Sequence, residues 1–162
     1  MVNDEADALL ASLNTQREHV LGAVEGLSED NLRRPVLPSG WTPLGMVRHL
    51  ALEVERFWFR AAVAGEPMTL TSGDEAWRVP ADVPGSTILD LYREEIANSN
   101  AVIAVTPVDA MPKWWPDFFA DFPARPLRQI LLHVIAETAT HAGHLDAARE
   151  IIDGSQWIVL TR

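Results

Sequence analysis

The chain is expected to fold as an all-α four-helix bundle, and three observations predict it. Apolar residues recur at three- and four-residue steps along most of the 162 residues, while two-residue alternation is nearly absent. Four long periodic segments are separated by clusters of Pro and Gly. No internal repeat, low-complexity tract or linker interrupts them, so residues 1–162 are read as one bundle domain with two long connections and a short extra helical turn.

The first helix is expected from about Asp4 to Glu25, with Leu9, Leu10, Leu13, Val20, Leu21 and Val24 as its apolar stripe. Gly26 ends it, and a short turn over Ser28 to Arg33 leads to Pro35 and Pro38. The second helix has the clearest start: Thr42 as cap, Pro43 at the first position, and Trp41 placed to pack on Met46. It runs through His49, Leu50, Val54 and Phe57 to about Ala64, where Gly65 and Pro67 stop it. Residues 66–85 then form a long connection, of the kind that often covers a site. The third helix spans about Thr87 to Val105. A second Pro-rich, aromatic connection carries Trp114, Trp115, Phe118, Phe119 and Phe122. The fourth helix spans about Pro126 to Ile152 with Gly154 as its cap, and Ser155 to Arg162 is read as a short extended tail.

Composition narrows the function. Forty-eight per cent of the residues are hydrophobic, enough to offset the entropy of ordering. The net charge of −10, with no basic tract, argues against nucleic acid as a partner. No apolar run approaches the ~18 residues of a membrane span, and the acidic N-terminus has no signal-peptide pattern. A cytoplasmic protein is therefore expected. Without cysteine, any thiol chemistry needs a thiol supplied from outside.

The last helix carries His133, Glu137, His141 and His144. At 100° per residue these fall at roughly 0°, 40°, 80° and 20° of one arc. Ionisable groups on an inward stripe are costly unless something pairs with them, and a cation would satisfy them. Glu137 and His141 have the i,i+4 spacing at which two side chains reach one ion. The third ligand has to come from another helix, and His49, mid-way along the second, is the natural candidate. Such a His–Glu–His set leaves positions open for water or substrate. The alternative is hydrogen-bonded structural histidines, with Glu137 paired to Arg128 or to a neighbouring histidine. Nitrogen and oxygen ligands suit Zn²⁺ first, and also Ni²⁺, Fe²⁺ or Mn²⁺.

The remaining candidates are weighed in the same way. His133 and His144 are expected to orient the ligands or to shuttle protons in catalysis. Glu53, one turn after His49, is read as solvated, and His19 as an ordinary helix residue. Trp58 and Phe57 are read as core. Trp114 and Trp115 are placed to roof a pocket that binds a cofactor or co-substrate over the open metal face, with a dimer contact or loop packing as the alternative.

Two stretches carry a resemblance. Gly40-Trp41-Thr42-Pro43-Leu44-Gly45-Met46-Val47-Arg48-His49-Leu50, with Glu55-Arg56-Phe57-Trp58-Phe59-Arg60 after it, resembles the first signature of the DinB-like superfamily. Leu132-His133-Val134-Ile135-Ala136-Glu137-Thr138-Ala139-Thr140-His141-Ala142-Gly143-His144 resembles the second, and the turn Gly26 to Pro35 also fits. The similarity is closest to the branch of mycothiol-dependent transferases and maleylpyruvate isomerase. It implies a four-helix bundle holding a divalent metal near one end. Many relatives use three histidines, and the isomerase branch replaces one by glutamate. The implied ligands are thus His49, Glu137 and His141; His144 stands where many relatives have glutamine. The resemblance also implies a low-molecular-weight thiol of the mycothiol or bacillithiol type as co-substrate, a small electrophilic molecule as acceptor, and a homodimer. Isomerase relatives often carry a further C-terminal domain, whereas this chain ends eight residues past Gly154, which favours a minimal transferase. A metal-dependent hydrolase, or a non-catalytic stress-associated helical dimer with a structural or vestigial metal, are the other readings.

Overall fold

Helix α1 spans Asp4–Val24 in the computed structural model, which describes residues 4–71 and 73–157. It ends at Gly26, whose φ of 74° lies in the left-handed region that glycine adopts without strain. Ser28 caps the single turn α2 (Glu29–Leu32) by accepting the Asn31 N–H at 3.3 Å. Thr42 caps α3 (Pro43–His49) through the Gly45 N–H at 3.0 Å, and Pro43 opens its first turn as the sequence predicts.

Beyond His49 the second long helix departs from expectation. From Leu50 to Val63 it continues without a break as a π-helix, ending where the Ala64 N–H bonds the Phe59 carbonyl five residues back. Ten of these fourteen residues are buried. The segment is therefore central to the bundle, with Glu53, Arg56, Trp58 and Arg60 left on its less buried side.

A short helix α4 (Asp74–Trp77) interrupts the first connection. Helix α5 (Gly85–Val105) starts two residues earlier than expected, because the Glu29 carboxylate accepts the Gly85 N–H at 3.0 Å and satisfies an otherwise free donor. A 3₁₀ turn at Asp117–Phe119 lies in the second connection. Helix α6 spans Leu127–Asp153 and stops at Gly154 (φ 78°), whose N–H reaches the Glu150 carbonyl at 2.9 Å. Residues 155–157 of the expected extended tail form no strand, and 158–162 lie outside the described residues.

Helix α1 lies along α6, the π segment along α5, and the remaining sides close as α6 against the π segment and α1 against α5. The result is the expected bundle: helices and no strands among the described residues. Leu13, Val20, Leu44, Val47, Leu50, Phe59, Tyr92, Leu131 and Val134 fill its core. None of these helices is long and apolar enough to cross a membrane.

Two ion-pair groups cross the core. Arg17 of α1 grips Glu55 of the π segment through two bonds of 2.7 and 2.6 Å, both side chains at most 2% exposed. Asn14 and Asn100 take the remaining Arg17 N–H at 2.8 and 2.7 Å. On α5, buried Glu95 accepts from Arg56 and Arg60. The charged residues of the first signature thus tie three helices together.

Candidate metal centre

His49 sits at the last residue of α3, where the helix passes into its wider winding. Glu137 and His141 project from one turn of α6. The three side chains converge, with one ligand atom from each within 4.8 Å of the others. His141 Nε2 lies 3.1 Å and His49 Nε2 lies 3.8 Å from the same oxygen, Glu137 Oε1. Arg128, the alternative partner for Glu137, is instead bound to Glu5 at 2.9 Å.

The donor set fits a cation. His49 Nδ1 is 2.6 Å from Glu53 Oε2, where an Nδ1–H donates to the carboxylate and Nε2 is the nitrogen turned to the centre. That Nε2 is buried without a hydrogen-bond partner, as is Nδ1 of His141. The orphaned His49 nitrogen, 3.8 Å from the Glu137 carboxylate, is costly unless a ligand completes it. Burial pushes the His141 pKa below its ordinary 6.5, although the Glu137 carboxylate pulls the other way. The imidazole is therefore held neutral at physiological pH, the state in which it binds metals. Two imidazoles and one carboxylate are a donor set known from catalytic zinc sites.

Two residues outside the expected ligand set shape this centre. Glu53, read as solvated, is only 24% exposed and orients His49. Trp77 of α4 stacks face to face on the His49 ring, with centroids 4.2 Å apart and planes 15° apart, and lies 5.9 Å from His141. Gly45 permits this approach, since a Cβ there would lie 2.4 Å from the Trp77 carbonyl oxygen. Arg48 donates to the Glu75 carbonyl, and Arg33 binds Glu29 and the carbonyls of Val79, Pro80 and Val83, fixing the connection that carries Trp77. The first connection therefore does cover the site.

The flanking histidines lie apart from the triad. His133 and His144 are exposed and make no hydrogen bond to its members. His133 packs edge-on against Trp58 at 4.9 Å; His144 lies 5.6 Å from His141 and 6.3 Å from Trp41. Neither supplies a fourth ligand.

The aromatic expectations need correcting. Trp58 is half-buried rather than core, and with Trp115 and Phe119 it lines a slot of about 300 Å³. Trp115 is fixed there by its indole N–H, which donates to the Phe122 carbonyl at 3.0 Å. Trp114 points elsewhere: it is 39% exposed and sits 6.2 Å from Phe57, outside the slot. Consecutive residues of an extended loop face opposite sides, so only one of the pair can line the pocket. His19 is buried rather than ordinary, its Nε2 2.5 Å from Asp146 on α6.

A second concavity of about 980 Å³ borders the other flank of the triad, lined by Trp41, Trp77, Thr42, Ser39, Arg33 and Arg78. The aromatic slot thus lies at His133, one turn ahead of Glu137 on α6, while the larger cavity meets the centre through Trp77 and Trp41.

No curated protein matches the chain in a sequence search. Residues 8–154, nearly its whole length, match the profile of the family described as Mycothiol-S-transferase. With that match added to the helical bundle and its two signatures, the chain belongs to the mycothiol S-transferase family.

Proposed function

We propose that the protein is a metal-dependent thiol S-transferase that joins a low-molecular-weight thiol of the mycothiol type to an electrophilic small molecule. The observation that carries this reading is the convergence of His49, Glu137 and His141 with the Nε2 of His49 left unpartnered. These three residues would hold the cation, zinc being the first choice for such ligands. When bound, a divalent cation lowers a thiol pKa from its ordinary ~8.5, so that the sulfur is charged at neutral pH.

The chain's own residues supply the rest. Glu53 keeps the His49 proton on Nδ1, so Nε2 stays a lone-pair donor. Trp77 shields one face of that ring from water. The hydroxyls of Ser39 and Thr42 and the exposed guanidinium of Arg78 suit the polar body of a sugar-bearing thiol in the larger cavity. His144, exposed and next to His141, takes the thiol proton on its ring and returns it to solvent. In the reaction a C–S bond forms, the bond to the leaving group breaks with its electron pair, and one proton is released.

The test is metal titration of chelator-stripped protein, followed by thioether formation from mycothiol and 1-chloro-2,4-dinitrobenzene. One equivalent of Zn²⁺ should bind and turnover should depend on it; His49→Ala should lose the metal and keep its helicity. Absence of thiol-dependent turnover under Zn²⁺, Ni²⁺, Fe²⁺ and Mn²⁺ alike would refute the proposal.

A further inference from the structure

The slot beside His133 is walled largely by aromatic rings. Trp58 and Phe119 face each other as near-parallel rings, centroids 5.8 Å apart and planes 15° apart, and Trp115 tilts against both at 5.8 and 5.5 Å. Phe122 closes the outer side while remaining 59% exposed. A soluble surface gains nothing by exposing such rings singly, but a concave group of them marks a ligand site. The volume of about 300 Å³ is at the small end for ligand pockets and matches one or two fused rings. Its polar groups are few, with Arg125 and His133 among them. Arg125 makes no ion pair with a carboxylate among the described residues, so its guanidinium is available to a polar ring substituent.

Position gives the slot its meaning. His133 and Glu137 are one turn apart on α6, about 6 Å along the axis. Glu53, which orients His49, borders a further hollow that shares Trp58 and Phe119 with the slot. A molecule lying against these rings would thus present one edge toward the triad, on the flank away from the larger cavity.

We infer that this slot binds the acceptor, and that the acceptor is a flat aromatic electrophile of one or two rings; the assignment rests on the transferase reading above. The rings would stack on the π faces of Trp58 and Phe119, contacts that favour aromatic over aliphatic acceptors of equal size. The reacting carbon would sit at the edge nearest Glu137, with the leaving group directed to solvent.

Binding can be read apart from chemistry. The probe is 2,4-dinitrotoluene, an unreactive isostere of 1-chloro-2,4-dinitrobenzene, followed by quenching of indole emission in the zinc-loaded protein. Saturable quenching is expected. Gln129→Phe fills the slot from an exposed position on α6, and Phe122→Ala opens its outer wall. Each should weaken binding at least tenfold while zinc affinity stays within twofold of wild type. Unsaturable quenching, or an unchanged affinity in both variants, would overturn the inference. So would a dimer that buries the slot and is dissolved by Gln129→Phe without any ring bound. If the ring binds in the slot yet no thioether ever forms from the reactive isostere, the transferase reading falls and the acceptor role with it, while the slot stands as the place where rings bind.

Discussion

Replacing Glu53 probes the candidate metal centre without touching any of its three proposed ligands. The carboxylate lies 2.6 Å from His49 Nδ1, a charge-assisted contact that fixes both the tautomer and the ring orientation. Removing such a partner costs about 10- to 100-fold in metal affinity, or ~1.4 to 2.8 kcal/mol. The structure divides that range between two variants. Glu53→Gln keeps an acceptor oxygen within reach and loses only the charge. Because the carboxylate is 24% exposed and partly screened by solvent, the loss should be about tenfold. Glu53→Ala leaves the Nδ1 proton without its partner and frees the ring to turn, so the loss should approach 100-fold. Competition of zinc-loaded protein against a chromophoric chelator measures both. Affinities within threefold of wild type in the two variants, with helicity intact, would show that Glu53 does not orient a metal ligand.

Other perturbations address the scaffold. Gly45→Ala places a Cβ 2.4 Å from the Trp77 carbonyl oxygen, so the α4 turn must shift; we expect ~1 to 3 kcal/mol of destabilisation in urea unfolding and a change in Trp77 emission. Arg17→Met strands the buried Glu55 carboxylate and should cost ~3 to 5 kcal/mol, much of it recovered in the Arg17→Met/Glu55→Met double variant. Glu29 is held below its ordinary pKa of 4.5, first by its bond to Arg33 and then by the Gly85 N–H. Its stabilising contribution is therefore complete above about pH 4.5 and lost as pH falls through the lower folded value. Glu29→Gln should flatten the acid limb of a thermal-unfolding series between pH 5 and about 3.

The three candidate ligands were legible because their signals are local. Glu137 and His141 share one helical turn, and Thr42 with Pro43 fixes where His49 falls in its own helix. Angular position alone does not bring His133 and His144 onto the triad. Eleven residues separate them, about 16 Å of helix rise, whereas a single ion spans little more than one turn. Trp77 was hidden because its connection has no periodicity, and only the space left by Gly45 explains its approach. Glu53 stood at a visible i,i+4 spacing from His49, but the same spacing describes many solvated carboxylates. The π winding had no sequence mark. It emerges from burial on several sides at once, including the Arg17–Glu55 pair, whose members lie 38 residues apart.

Arg33 has a bearing on traffic. Its guanidinium joins Glu29 to three backbone carbonyls, and Arg48 adds a further clasp at Glu75. Swinging the Trp77 hairpin outward would forfeit all of these bonds together. The roof over His49 is thus a fixture rather than a door, which leaves the sides of the centre as the approach for the small molecules of the proposed reaction.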